Sequence, residues 1–327
     1  MQSQPAEDHR LSRGIKGRNL LGGAAAVVAA VMLSGASGCV FWDPAHAKIP
    51  VPPVSLGARD VAFPSGSGNE IRAWFARGER GGGAVLLLHG VGSNRTSMTA
   101  RARLLHGEGF TVLAPDFQAH GESTGDVITY GARESLDAEA ALEFLRRKVP
   151  GERIGVIGVS MGGAASLLGP GPLPADAFVL ESVYPTIGQA VRDRLTAWLG
   201  PLGAVGELIA PAMTDLLGAE IGVSASQLQP ITRIGALRAP VLVIAGTKDR
   251  YTHLAEAESL YARAPEPKRF WAVPGAGHED LFAFAGQEYA RRVSAFLEEY
   301  LRAAPYVAES ADSATAEHIG RRTRETP

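Results

Sequence analysis

The sequence has little cysteine and no excess of positive charge. One cysteine occurs among 327 residues, so neither an internal disulfide nor a C-x-x-C metal or redox motif can form. The 32 Lys and Arg residues are matched by 34 Asp and Glu residues, giving a net charge of −2 without a long basic run. Because nucleic-acid binding needs a dense cationic surface, we expect no nucleic-acid partner.

The sequence also lacks the short motifs that hold phosphates and metals. No glycine-rich loop ends in Gly-Lys-Ser or Gly-Lys-Thr, and no His-Glu-x-x-His motif occurs. The composition, 46% hydrophobic and 20% charged, is that of a folded globular protein. It argues against a disordered, collagen-like or multi-span membrane protein, and we expect neither a metal nor a cofactor.

The N-terminal region has the pattern of an export signal. Residues 1–18 carry a net charge of +2, and Asn19–Trp42 follows with 24 uncharged positions. Small residues precede Cys39, which resembles a bacterial lipoprotein signal and implies cleavage before Cys39 and a lipid on its sulfur. The alternative is an uncleaved anchor helix, since about 20 apolar residues span a bilayer. Both alternatives predict a membrane-anchored domain in the cell envelope, outside the cytoplasm.

Short apolar runs alternate with helical patterns over most of the chain. A helix is predicted over Ala132–Lys148 and a strand hairpin from Arg59–Phe63 and Glu70–Ala76. The alternation predicts an α/β fold with a mostly parallel sheet covered by helices on both faces. The apolar runs predicted as buried strands are Ala84–Leu88, Phe110–Ala114, Ile154–Ile157, Ala177–Leu180 and Val241–Ile244, and a further strand is predicted over Arg269–Val273.

The domain organisation follows from where this alternation stops. We expect a signal or anchor over 1–38, a proline-rich tether over 39–54, the α/β domain over 55–303 and a disordered tail over 304–327. Within the domain, a helical cap is inserted at about 182–234, with Val191, Leu195, Trp198, Leu199 and Leu202 on one helical stripe. The stripe either covers an active site or packs onto the sheet.

The strongest chemical signal is a G-x-S-x-G motif, Gly158-Val-Ser160-Met-Gly162. It lies between a predicted strand and a helix of small residues, which is the context of a strained turn that exposes a nucleophilic serine. The flanking glycines are expected because side chains at those positions would collide with the neighbouring strand and helix.

On this motif and its context, residues 55–302 resemble the α/β-hydrolase superfamily, specifically its esterase, lipase and serine-aminopeptidase-like branch. The resemblance implies a catalytic triad of Ser160, Asp249 in the Gly-x-x-Asp loop after Val241–Ala245, and His278 in a glycine-rich loop. Glu181, at the end of another strand, is the alternative acid.

The resemblance also implies an oxyanion hole made of two backbone N–H groups. Met161, directly after the serine, supplies one, and Val91, after His89-Gly90, supplies the other. In this pattern His89 is expected to be structural, and His120 is expected to brace a loop by hydrogen bonds.

These residues predict a serine hydrolase of the carboxylesterase type that forms an acyl-enzyme without a cofactor. The same triad also serves thioesterases and peptidases, and the fold can serve a binding protein without turnover. The expected substrate is a small acyl ester or lipid-like molecule. The sequence does not decide the oligomeric state.

Overall fold

A central sheet of eight strands runs through residues 43–302, the part of the chain that this computed structural model describes. The predicted signal or anchor, Cys39 and the predicted tail lie outside the described residues. The strands are β1 (Ala45–His46), β2 (Arg59–Pro64), β3 (Glu70–Ala76), β4 (Ala84–Leu88), β5 (Thr111–Pro115), β6 (His120–Gly121), β7 (Ile154–Val159), β8 (Ala177–Glu181), β9 (Val241–Gly246) and β10 (Lys268–Val273).

The sheet is mostly parallel, in the order β10-β9-β8-β7-β4-β5-β3-β2. The predicted hairpin is present, since β2 pairs antiparallel with β3, and β3 pairs antiparallel with β5. The five pairings from β10 to β5 are parallel. β1 and β6 form a separate parallel pair.

Helices cover both faces of this sheet. The α-helices are α1 (Thr99–Gly107), α2 (Glu134–Lys148), α3 (Met161–Leu167), α4 (Ile187–Leu199), α5 (Gly203–Ile221), α6 (Pro230–Arg233), α7 (Leu254–Arg263) and α8 (Leu281–Leu301). Leu86 and Leu88 point into one apolar core, while Val85 and Leu87 point into a second core on the opposite face. The predicted α/β architecture, with helices on both faces of a mostly parallel sheet, is confirmed.

The segment between β8 and β9 is helical, as the sequence predicts for the cap. α4 and α5 form a hairpin joined by a single 3₁₀ turn, Gly200–Leu202. The two helices approach closely at Gly206, where a β-carbon would lie 3.0 Å from the carbonyl carbon of Leu195. The predicted stripe is only partly correct: Leu195 is buried, but Trp198 and Leu202 are exposed. The reason is that α4 ends at Leu199, so the last part of the stripe lies at the tip of the hairpin.

The predicted tether also differs in part from the structure. Ala45–His46 pairs with His120–Gly121, and Ile49 is buried in the core beneath α1 and α8. The prolines of this segment favour extended backbone, and an extended segment can pair with an exposed loop edge. Residues 43–53 therefore lie along the domain surface instead of forming a free stalk.

Candidate active site

Ser160 lies on a strained turn at the carboxyl end of β7. Its φ of 49° and ψ of −114° are unusual for a residue with a side chain. Its backbone N–H donates to the carbonyl oxygen of Glu181 on β8 at 2.7 Å, and α3 begins at the next residue. The turn therefore presents the hydroxyl at the sheet edge and directs a helix N-terminus toward it.

The glycines of the motif are required by close backbone contacts. A β-carbon on Gly158 would lie 2.5 Å from Cα of Gly163, and one on Gly162 would lie 2.3 Å from the carbonyl oxygen of Leu88. Both obstacles are backbone atoms in packed elements, so neither can move aside cheaply. This agrees with the steric role that the sequence predicts for these positions.

Asp249 and His278 form a hydrogen-bonded pair beside this turn. His278 Nδ1 lies 2.8 Å from Asp249 Oδ2, and the other carboxylate oxygen accepts from the backbone N–H groups of Tyr251 and Thr252 at 2.8 and 2.9 Å. Burial alone would raise the pKa of Asp249. The hydrogen bonds and charge of His278, with the two backbone donors, outweigh burial and hold the pKa of Asp249 below its usual value.

Ser160 and His278 line one pocket at the carboxyl ends of the strands. Among the described residues, no hydrogen bond joins the Ser160 hydroxyl to the imidazole. Catalytic hydrogen bonds are often long in sites without substrate and tighten when it binds. The structure thus brings the three predicted side chains to one site, with the acid–base pair already formed.

The loop after β4 lies across the pocket from this pair. Val91 and Met161, the two predicted backbone donors, both line the pocket. A β-carbon on Gly90 would lie 3.6 Å from Cβ of Ser160, so the loop passes directly beside Ser160. His120 Nε2 accepts from the backbone N–H of Gly92 at 3.1 Å.

Two buried histidines hold this loop, as the sequence predicts. His120 Nδ1 donates to the carbonyl of Gln118 at 2.8 Å, and His89 Nδ1 donates to that of Gly90, also at 2.8 Å. Nε2 of His89 accepts from the N–H of Phe117 at 3.1 Å. Burial lowers the pKa of both imidazoles, to about 3 for His89, so both are neutral braces at neutral pH.

Glu181, the alternative acid, is engaged elsewhere. Its carboxylate receives Nε and Nη2 of Arg101 at 3.1 and 2.7 Å and the hydroxyl of Tyr289 at 2.5 Å. Arg101 Nη1 also lies 2.8 Å from Asp280, two residues after His278. This network cannot be predicted from the sequence, because Arg101 and Glu181 are 80 positions apart and neither lies in a motif.

The cap contributes apolar side chains to the pocket. Six residues of α4 and α5 line it beside Ser160: Ile187, Ala190, Val191, Arg194, Met213 and Leu217. Arg194 lies over the ring of Tyr251 at 4.9 Å, and Tyr251 packs edge-on against His278. Both interpretations of the cap hold in part: its side chains line the pocket beside Ser160, and Ile187 and Leu217 also belong to the core on that face of the sheet. Within residues 43–302, no group of three or more His, Cys, Asp or Glu side chains could hold a metal ion.

Comparison with known proteins identifies a family. The sequence pattern of the alpha/beta hydrolase family matches residues 85–292. The uncharacterized protein Rv2307c of Mycobacterium tuberculosis is 32% identical over 257 residues, which cover 76% of this chain and 84% of that protein. The uncharacterized protein YqkD of Bacillus subtilis is 25% identical and covers 72% of this chain and 78% of its own length.

Solved structures share the fold at lower identity. The Pyrococcus furiosus esterase Pf2001 superposes with a TM-score of 0.65 at 23% identity, covering 81% of this chain and all of its own. The esterase of Exiguobacterium antarcticum gives 0.55 at 15% identity over 73% of this chain and all of its own. At such identities the likeness concerns the fold alone.

Proposed function

Because this chain belongs to the alpha/beta hydrolase family, we propose that it hydrolyses carboxylic esters with Ser160 as nucleophile, His278 as general base and Asp249 as the orienting acid. The observation that carries this proposal is the His278–Asp249 hydrogen bond in a pocket that Ser160 also lines. A binding protein would need none of these three groups in that relation.

The chemistry follows from the proton affinities of the three side chains. A serine hydroxyl is a weak nucleophile until a neighbouring imidazole accepts its proton. His278 takes that proton as the Ser160 oxygen attacks the ester carbonyl, and it then returns the proton to the departing alcohol. Asp249, ionised because its pKa is lowered, holds the imidazole tautomer and stabilises the imidazolium.

The developing oxyanion is stabilised by the backbone N–H groups of Val91 and Met161. Met161 is the first residue of α3, so the helix dipole adds to its donor. A single donor of this kind is worth about 3–4 kcal/mol in a working site. Water then attacks the acyl-enzyme, with His278 again as the base, and releases the acid.

The apolar pocket supports an acyl chain as the group bound next to the serine. The cap side chains of this pocket are aliphatic apart from Arg194 and Met213, and such linings favour apolar ligands. Thioesters and amides react through the same groups. The proposed preference for esters is therefore tested with an ester, a thioester and an amide that carry the same acyl group.

Labelling and turnover test the nucleophile. The wild-type chain is expected to react with a fluorophosphonate probe and to cleave short p-nitrophenyl esters, and Ser160→Ala loses labelling and about 10⁴- to 10⁶-fold of kcat/KM. Ser182→Ala is the matched control: it removes a hydroxyl at the same sheet edge that has no hydrogen-bond partner among the described residues. Labelling that persists in Ser160→Ala would exclude Ser160 as the nucleophile.

We also propose that the N-terminal segment tethers this domain to a membrane, through a lipid on Cys39 or through an uncleaved apolar helix. The uncharged stretch Asn19–Trp42 and the small residues before Cys39 support this. Mass spectrometry of the membrane fraction distinguishes the two modes: a lipidated N-terminal Cys39 indicates cleavage, and an intact N-terminus indicates the anchor. Recovery of the chain in the soluble fraction alone would contradict both.

A further inference from the structure

The tip of the α4–α5 hairpin, defined as residues 198–208, exposes large apolar side chains. Trp198, Leu202 and Leu208 leave 56%, 63% and 71% of their surface accessible. These three residues lie at the end of α4, in the connecting turn and in the second turn of α5, so they surround one end of the hairpin. Several large exposed apolar groups at one place indicate a binding surface rather than ordinary scatter.

The composition of the hairpin points the same way. Between Arg194 and Asp215 the sequence has one charged residue, Glu207, whereas soluble surfaces carry charge at about a quarter to a third of positions. Among the described residues, Ile187–Ile221 is the one segment with the length and mean hydropathy of a membrane span. It is a bent pair of helices, and only 33% of its most apolar window is buried. Packing and pocket lining therefore account for only part of its apolar character.

Burial decreases along the hairpin away from the sheet. Ile187 and Ile221, at the base, are 2% and 3% exposed and belong to the main core. Leu195 and Ile209, farther out, belong to a small separate cluster between the two helices. With 13 residues in α4, the tip extends about 20 Å from the base. The hairpin thus lines the active-site pocket at its base and projects apolar side chains beyond it.

The first described residues lie at the edge of the sheet that carries the active-site pocket. The N–H of Ala45 donates to the carbonyl of Ala119 at 2.6 Å, and β1 pairs with His120, which in turn binds the loop beside Ser160. The 42 residues before Asp43 include the uncharged stretch Asn19–Trp42. A domain tethered through that stretch would therefore be attached at the edge of the sheet that carries the pocket and the cap.

We propose that the hairpin tip inserts into the surface of a lipid bilayer, placing the pocket beside the lipid phase. Interfacial elements of this kind bury their apolar face about 5–10 Å deep, which a projecting tip of this size can do. A second copy of the chain is the less suited occupant, since a stable dimer buries about 800 Å² per partner and the large exposed apolar side chains of the tip are Trp198, Leu202 and Leu208 alone. The choice of a bilayer rests on the proposed tether, but it does not require hydrolytic activity.

Quenching of tryptophan fluorescence by brominated lipids tests the contact. The full-length chain is reconstituted into phosphatidylcholine vesicles with or without bromine on the acyl chains, and flotation first verifies that it is bound. The other three tryptophans are Trp42, at the end of the uncharged N-terminal stretch, and Trp74 and Trp271, which are 2% and 7% exposed. All three are common to both proteins, so the difference between wild type and Trp198→Phe reports on Trp198 alone. Brominated lipid is expected to quench that difference signal by about half or more.

A relocated reporter supplies the matched control. Trp198→Phe combined with Arg80→Trp moves the fluorophore to the exposed turn before β4, at the opposite edge of the parallel strands. The difference between this double variant and Trp198→Phe alone is expected to be unaffected by bromine. Equal quenching at both sites, or no quenching of Trp198 in vesicle-bound protein, would overturn the proposal. Burial of Trp198 by concentration-dependent self-association without lipid would also overturn it.

A second variant separates this proposal from the proposed function. Leu202→Gln with Leu208→Gln changes two exposed side chains and is expected to keep the melting temperature and the turnover of a short soluble ester. Turnover of the same ester group on a lipid embedded in vesicles should fall about tenfold. Unchanged vesicle turnover would contradict the role of the tip. If the wild type had neither activity, the proposed function would be contradicted, and the quenching experiment alone would test whether the tip inserts into the bilayer.

Discussion

Two regions of the molecule are held in place by different means. One comprises the loops that carry Asp249 and His278, and the other is the α4–α5 hairpin. At the sheet edge, buried polar groups fix the geometry: Asp249 accepts three hydrogen bonds, and Arg101 joins Glu181 to Asp280 in the His278 loop. The hairpin is held mainly by apolar packing, in the main core at its base and in a small cluster between its two helices, and its tip is exposed. Networks of buried polar groups specify one arrangement, whereas apolar packing tolerates substitution.

This difference suggests a division of roles. The atoms that react must be held to within a fraction of an ångström, and the sheet edge provides that. The atoms that select a substrate need only exclude or admit volume, which a helical insertion can do. The following variants test whether the two regions separate in this way.

The largest effect is expected at the acid. Asp249→Asn should lower kcat/KM for p-nitrophenyl acetate by about 10⁴-fold, because an amide no longer holds the imidazole in the productive tautomer. The amide oxygen can still accept the backbone N–H groups of Tyr251 and Thr252, so the loop is expected to survive. A loss of less than tenfold, with unchanged thermal unfolding, would show that another group serves as the acid.

The next effect is on stability at the same edge. Arg101→Met leaves the buried carboxylate of Glu181 without its cation and should lower the free energy of unfolding by about 3–5 kcal/mol. The double variant with Glu181→Gln should recover most of that loss, since no uncompensated charge remains. Denaturant titrations of both variants measure this, and a double variant no more stable than Arg101→Met would argue against an electrostatic cause.

Much of this edge could be predicted from the sequence, and the physical reason is locality. The Ser160 turn can be predicted from consecutive residues, because the strand, the tight turn and the glycines must follow one another along the chain. Asp249 and His278 can be predicted from the resemblance to the α/β-hydrolase superfamily and from their positions after strands. The Arg101–Glu181 pair could not be predicted, since it joins residues that only the folded sheet brings together. The exposed position of Trp198 also escaped prediction, because helical periodicity does not tell where a helix projects beyond the core.

The hairpin is expected to control selectivity without affecting the chemistry. Met213→Trp adds bulk to the cap side of the pocket and should lower the ratio of long-chain to acetyl ester turnover by about tenfold. Ala212→Trp is the matched control, as it adds the same ring at the neighbouring exposed position of α5. If both variants change the chain-length profile equally, the acyl group does not lie against Met213.

The smallest effect is expected where the hairpin meets the domain. Glu256 on α7 accepts from Arg192 of α4 at 3.1 Å, and burial together with neighbouring Asp193 raises the pKa of Glu256 to about 7. A carboxyl group whose pKa is raised on folding stabilises the fold at low pH, and this stability is lost as the pH rises through that value. The wild type should therefore lose stability between about pH 5 and pH 7, as Glu256 ionises beside Asp193.

Glu256→Gln removes this titration and keeps a side-chain oxygen that can accept the backbone N–H of His253, which donates to Glu256 Oε2 at 3.2 Å in the wild type. The variant should match the wild type at about pH 5 and melt about 2–4 °C higher at about pH 8. Exposed Glu258→Gln on the same helix provides the control for removing a charge without burial. A variant that is less stable than the wild type at the higher pH would contradict this prediction. It would mean that the ion pair with Arg192 outweighs the repulsion by Asp193, so that ionisation of Glu256 stabilises the contact between the cap and the domain.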